Sequence, residues 1–121
     1  MHIHRFSAIL GAALLLVLLH AAPARALTVE NASDFVLYCS VYRQGYAMPL
    51  TQFVLLPGKK AAWTPLNPND GPFTVRAVAE SRPGAPREPA TCSVTSPLDS
   101  VVAETEKDKL VLGVTQYLPV R

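Results

Sequence analysis

The 121-residue chain predicts an all-β fold, a small antiparallel β-sandwich or barrel of about seven strands with one disulfide. Three observations predict it. Short apolar runs alternate at period two, Pro and Gly break them at close intervals, and just two cysteines, Cys39 and Cys92, stand in a chain that reads as exported.

The export reading rests on residues 1–26. His2, His4 and Arg5 make a short basic start, an apolar run from Ala8 to Leu19 follows, and Pro23 leads into the A-x-A triplet Ala24, Arg25, Ala26. That order is the one a cleavable signal peptide uses. A membrane-spanning helix needs about 20 apolar residues, and His20 and Pro23 end this run early. The expectation is a single domain over residues 27–121, secreted or periplasmic, with no stable membrane anchor after cleavage.

The elements follow in order. Leu27 to Asn31 alternates. Asp34 to Arg43 is a longer strand with Phe35, Leu37, Cys39 and Val41 on one face and Val36, Tyr38, Ser40 and Tyr42 on the other. Gln44 and Gly45 turn the chain, and Thr51 to Leu56 is stopped by Pro57-Gly58, after which Lys59 to Thr64 runs past Trp63. Pro65 to Pro72, with the Asn69-Asp70-Gly71 turn signal, is a loop. Phe73 to Glu80 is a strand with Phe73, Val75, Ala77 and Ala79 on one side. The Ser81 to Pro89 loop holds four prolines or glycines that deny it helix and ladder bonds. Ala90 to Thr95, Ser100 to Glu104 and Leu110 to about Leu118 are further strands, the last two forming a hairpin about the charged turn Lys107 to Lys109. The rival for the penultimate strand is a helix from Leu98 to Lys107, which its Glu, Ala and Lys content permits.

Cys39 and Cys92 each share parity with apolar neighbours, so both sulfurs are expected to face the core and pair. Closing a loop of that length is worth about 4 kcal/mol in the chain-entropy argument. A redox pair would favour Cys-x-x-Cys spacing. The order Cys39, Trp63, Cys92 resembles that of immunoglobulin-type sandwiches, although Trp63 lies too far beyond Cys39 and Ala90 stands where that family has its corner tyrosine. Thr28-Val29-Glu30-Asn31 with Leu56-Pro57-Gly58 resembles the opening of thaumatin-like proteins over about a third of the domain. That family is rich in disulfides and this chain has two cysteines, so neither resemblance brings a functional residue with it.

Composition removes several chemistries. All three histidines lie in residues 1–26, and the nine Lys and Arg beyond them balance nine Asp and Glu. Without histidine there is no Ser-His-Asp or Cys-His site, and without a basic stripe nucleic acid is not an expected partner. Lys59, Lys60, Lys107 and Lys109 fall in turns or at strand starts, where lysine is solvated. Glu104, Glu106 and Asp108 alternate with Lys107 and Lys109 as a charge-balanced turn. Asn67, Asn69 and Asp70 carry too little charge for calcium and read as a turn. The sequon Asn31-Ala32-Ser33 is open to glycosylation. No cofactor or metal is expected.

Two surfaces remain as candidates. Tyr38 and Tyr42, with Tyr46 following, form an aromatic platform suited to a glycan or a protein. The loop Ser81 to Pro89, carrying Arg82, Arg87 and Glu88, is a stiff exposed segment on a sheet scaffold. The expected role is therefore a non-catalytic, protein-binding or structural accessory module acting through its loops. The alternative is a carbohydrate or small-ligand binder using the tyrosine face. The partner, an unknown protein or glycan, lies outside the cytoplasm.

Overall fold

A computed structural model of the chain describes residues 26–67 and 71–116. Residues 1–25 of the export segment, Asn69, Asp70 and the end of the last expected strand lie outside those residues. The fold is all-β, with eight strands and no helix among the described residues: β1 (Leu27–Asn31), β2 (Leu37–Arg43), β3 (Pro49–Leu55), β4 (Lys60–Trp63), β5 (Phe73–Ala79), β6 (Ala90–Val94), β7 (Ser100–Glu106) and β8 (Lys109–Thr115). They form two four-stranded sheets, ordered β4-β1-β7-β8 and β3-β2-β5-β6. All pairings are antiparallel except β1 with β7, which run parallel.

The alternation read in the sequence sets the core. Leu27 and Val29 of β1, Leu37, Cys39 and Val41 of β2, and Phe73, Val75 and Ala77 of β5 are buried, as are Val94, Val101 and Ala103. Phe73 is the largest of these, and the Trp63 ring meets it edge-on at 5.5 Å, an arrangement that aromatic quadrupoles favour. The strand expected from Ser100 to Glu104 is β7, which runs on to Glu106, and the rival helix from Leu98 to Lys107 does not form. Val101 and Ala103 face inward and the strand pairs on both sides, so tertiary pairing overrides its helical composition.

The turns follow local chemistry. Leu56-Pro57-Gly58-Lys59 and Arg82-Pro83-Gly84-Ala85 are closed by the same bond, an amide of the fourth residue donating to the carbonyl of the first at 3.0 and 3.1 Å. Gly58 and Gly84 have φ of 78° and 85°, and the Pro-Gly pair supplies the fixed φ followed by the positive φ that a type II turn requires. The β7–β8 hairpin departs from its usual chemistry. Glu106 pairs with Lys109 across a two-residue turn, and Lys107 and Asp108 both take positive φ, 51° and 65°, where Asn-Gly is preferred.

One polar side chain organises the upper end of the sandwich. Asn31, fully buried, donates through Nδ2 to the carbonyls of Phe35 (2.7 Å) and Leu55 (2.9 Å), while its Oδ1 accepts from the Ser33 amide (2.9 Å) and hydroxyl (2.6 Å). Its backbone carbonyl accepts from Gly58 and its amide donates to Lys59, both at 2.8 Å. These bonds turn the chain from β1 into β2, so β2 begins at Leu37 and not at Asp34. They also close the sequon. The amide nitrogen that a glycan would need is inside the fold and has both its donors engaged.

Two expected outcomes follow. Asn31→Ala leaves the Phe35 and Leu55 carbonyls and the Ser33 donors without their partner and lowers unfolding stability by about 2–4 kcal/mol, read from urea denaturation. Asp108→Gly relieves positive-φ strain and raises stability by about 0.5 kcal/mol in the same assay.

Candidate functional site

The cysteines do not pair. Both face inward, as their parity implies, Cys39 buried and Cys92 half-buried, and both are free. Cys39 stands opposite Ala77 and Cys92 opposite Val75, so β5 lies between them and they are offset by two residues. Neighbouring strands are about 4.8 Å apart, which puts about 10 Å across the sheet between the two Cα atoms, beyond the roughly 7 Å at which a disulfide closes. The expected bridge is corrected on that geometry. Nor does the immunoglobulin arrangement arise, because both cysteines belong to one sheet while Trp63 belongs to the other. Burial pushes both thiols up to about 11, opposed at Cys92 by a hydrogen bond with the Val75 backbone.

The tyrosines divide. Tyr38 and Tyr42 share the outer face of the β3-β2-β5-β6 sheet, with Ser40 between them. Tyr38 stands between Val54 of β3 and Val78 of β5, and Ser40 between Gln52 and Arg76. Tyr42 lies between Pro49 and Thr74, just past a register shift in the β2–β3 pairing. Tyr38 is 52 % exposed and Val54 56 %, with Leu50 and Leu56 exposed on β3 and just beyond it. The result is an apolar row across three strands beside a polar row in which Gln52 donates to Ser40 Oγ at 3.3 Å. Tyr46 does not join the platform. It follows the tight turn closed by its own amide on the Arg43 carbonyl (3.0 Å), and the Arg43 guanidinium lies 4.9 Å from its ring centre, at the lower end of the sandwich.

The loop arginines divide as well. Arg82 is built into the scaffold: its Nε sits 3.3 Å from a Glu80 carboxylate oxygen, it donates to the Asp34 carbonyl at 2.9 Å, and its guanidinium covers the Phe35 ring at 4.6 Å. The same Glu80 oxygen accepts from the Val36 amide at 2.6 Å, and Pro86 is buried. The loop is therefore pinned at its start and again at Pro86, and Arg82 takes part in holding it. Arg87 is exposed and lines an open depression with Glu88, Lys107, Asp108 and Lys109. Three cations and two carboxylates alternate around it, so its net charge is a single positive one and no cluster of one sign forms.

Sequence reasoning missed the neighbours that give Tyr38 its setting. Val54 and Val78 were legible as strand residues, but that they flank Tyr38 depends on strand order. Among the described residues no group of three or more His, Cys, Asp or Glu side chains stands close enough to share a metal ion. No family model, curated protein or solved structure matches the chain.

The thiols give a direct check. Native protein is expected to react slowly with a thiol reagent at pH 8 and to release two thiols in denaturant, with no internal disulfide by mass after air oxidation. Because the folded thiols ionise later than unfolded ones, the unfolded state loses its protons first as pH rises. Stability is then constant on their account below about pH 9 and falls between about pH 9 and 11, read from denaturation midpoints across that range.

Proposed function

We propose that the domain is an exported, non-catalytic protein-binding module that receives its partner on the outer face of the β3-β2-β5-β6 sheet. The observation that carries this reading is the row Val54–Tyr38–Val78, in which Val54 and Tyr38 are exposed and Val78 is half-buried, continued by exposed Leu50 and Leu56 on the β3 side. Apolar side chains side by side on a sheet face gain most when another surface covers them, and a half-exposed tyrosine supplies both area and a hydroxyl. The polar row of Gln52, Ser40 and Arg76 beside them provides hydrogen-bonding groups of the kind found at an interface rim. Export rests on the order of basic, apolar and A-x-A segments in residues 1–26, and the free thiols are compatible with it because burial shields them.

On this reading the contact is with the sheet face and not with the Ser81 to Pro89 loop. Arg82 directs its Nε and Nη2 into the fold, and the depression beside Arg87 is open and of mixed charge. Glycan binding by Tyr38 and Tyr42 is the alternative, and it uses the same face.

A photo-crosslinking amino acid placed at Tyr38, at Val111 on the other sheet, or at Arg87, in protein expressed in its native host, separates these readings. One discrete protein adduct from position 38, absent from 111 and 87, is the expected result. An adduct from position 87 alone returns the loop to the front. Silence from all three, with glycan-array binding lost in Tyr38→Ala, overturns the protein reading in favour of the glycan one.

A further inference from the structure

Among the described residues there are four strand edges, β4 and β8 in one sheet and β3 and β6 in the other. Unpaired edges recruit other strands unless charge, brevity or cover prevents it. Three of the four carry such a device. β4 is four residues long and starts at Lys60, directly after Lys59. β6 is five residues long, begins just after Pro89, and packs across the sandwich against β8. β8 shares that cover and begins with Lys109. β3 is different. It is seven residues long, its contact with β4 is slight, and no charged residue occurs anywhere from Gln44 to Gly58. Its devices are Pro49, at its first position, and the register shift that leaves Leu50 unpaired between Pro49 and Thr51; both stand at its start, and Thr51 to Leu55 is an unbroken edge.

We infer that β3 is a self-association edge, pairing antiparallel with β3 of a second copy of this chain about a two-fold axis at Gln52. The occupant follows from the side-chain pattern. With Gln52 opposite its own copy, Leu50 of each chain falls opposite Val54 of the other, so every cross-strand pair on the outer face is apolar with apolar or amide with amide. On the inner face Thr51 falls opposite Phe53, and the half-buried Phe53 gains a neighbour that its own β4 does not provide. A two-fold axis brings each residue near its own kind, and like charges placed opposite each other oppose pairing; a strand with no charge has none to bring together. Pairing makes one eight-stranded sheet, in which the row Val78–Tyr38–Val54 continues into Leu50 of the second copy. The contact uses the strand edge and leaves the sheet face free, so its failure would leave the proposed face binding standing.

The test is sedimentation of the purified protein over a range of concentrations, with folding followed by thermal melting. Wild type is expected to be a reversible dimer. Gln52→Lys and Gln52→Glu, at an exposed position, are each expected to melt as wild type does while weakening dimerisation at least tenfold, and an equimolar mixture of the two is expected to restore it. Cysteine substitution fixes the register without competition from the buried native thiols: Gln52→Cys forms a disulfide-linked dimer on oxidation, Val54→Cys alone does not, and Val54→Cys mixed with Leu50→Cys does. A wild type that stays monomeric at all concentrations, a dimer indifferent to Gln52→Lys, or a Val54→Cys protein that links to itself would each overturn the inference.

Discussion

The fold depends most on a buried amide. Asn31 lies where β1 of one sheet hands the chain over to β2 of the other, and its side chain and backbone together bind Ser33, Phe35, Leu55, Gly58 and Lys59. The next residue adds a link to β7, because the Ala32 amide donates to the Ala103 carbonyl at 2.7 Å. A two-sheet sandwich has to carry polar backbone around the ends of its core, and any such group left unpaired there costs free energy. Asparagine answers this with two donors and an acceptor on one short side chain. The opposite end has its own version: Asp99, also buried, accepts from the Ser96 amide at 3.2 Å, and Thr28 donates to its carbonyl at 3.3 Å. Between these two corners β1 and β7 run parallel and in register.

What could be read from the sequence is what depends on near neighbours. Period two identified the inward faces of β2, β5 and β6, and Pro57-Gly58 identified a turn, because strand pleat and turn dihedrals are local properties. The parity of both cysteines was legible for the same reason. Their pairing was not, since it depends on which strand lies between them, and β5 comes between β2 and β6 only through the long β4–β5 connection. Asn31 was legible only as a sequon. Its role needs Leu55 and Gly58, more than twenty residues away, and nothing in the spacing of Asn31-Ala32-Ser33 distinguishes a surface acceptor from a buried hub. The β7 segment was ambiguous for a related reason: its composition allows a helix, and only the positions of β1 and β8 on either side decide for a strand.

The candidate site was half legible. Tyr38 and Tyr42 were correctly placed on one face, but Tyr46 was expected beside them on proximity in sequence, and the tight turn with Arg43 takes it to the end of the sandwich. Arg82 stood out among prolines as a recognition residue, yet the same prolines fix the loop so that the guanidinium reaches Glu80, Asp34 and Phe35. A cation next to a carboxylate, a free carbonyl and an aromatic face stabilises a loop as readily as it recognises a ligand. Sequence alone does not separate the two roles.

The distribution of charge then gives the surface its direction. Glu88, Arg87, Glu104, Glu106, Lys107, Asp108 and Lys109 gather at the upper end and along the β7–β8 hairpin, where both signs alternate and water solvates them. The β2–β3 hairpin carries no charge from Gln44 to Gly58, and on the outward face of its sheet Arg76 is the charged residue of β5 between Thr74 and Val78. Apolar groups left in water cost free energy in proportion to their area, and the chain contains enough charged residues to have hidden this face had they been placed there. Their concentration at the opposite side leaves one face whose exposed groups gain from being covered and one edge whose backbone gains from being paired. The two features adjoin along β3, so a partner on the face and a second copy at the edge would meet on the same uncharged strand.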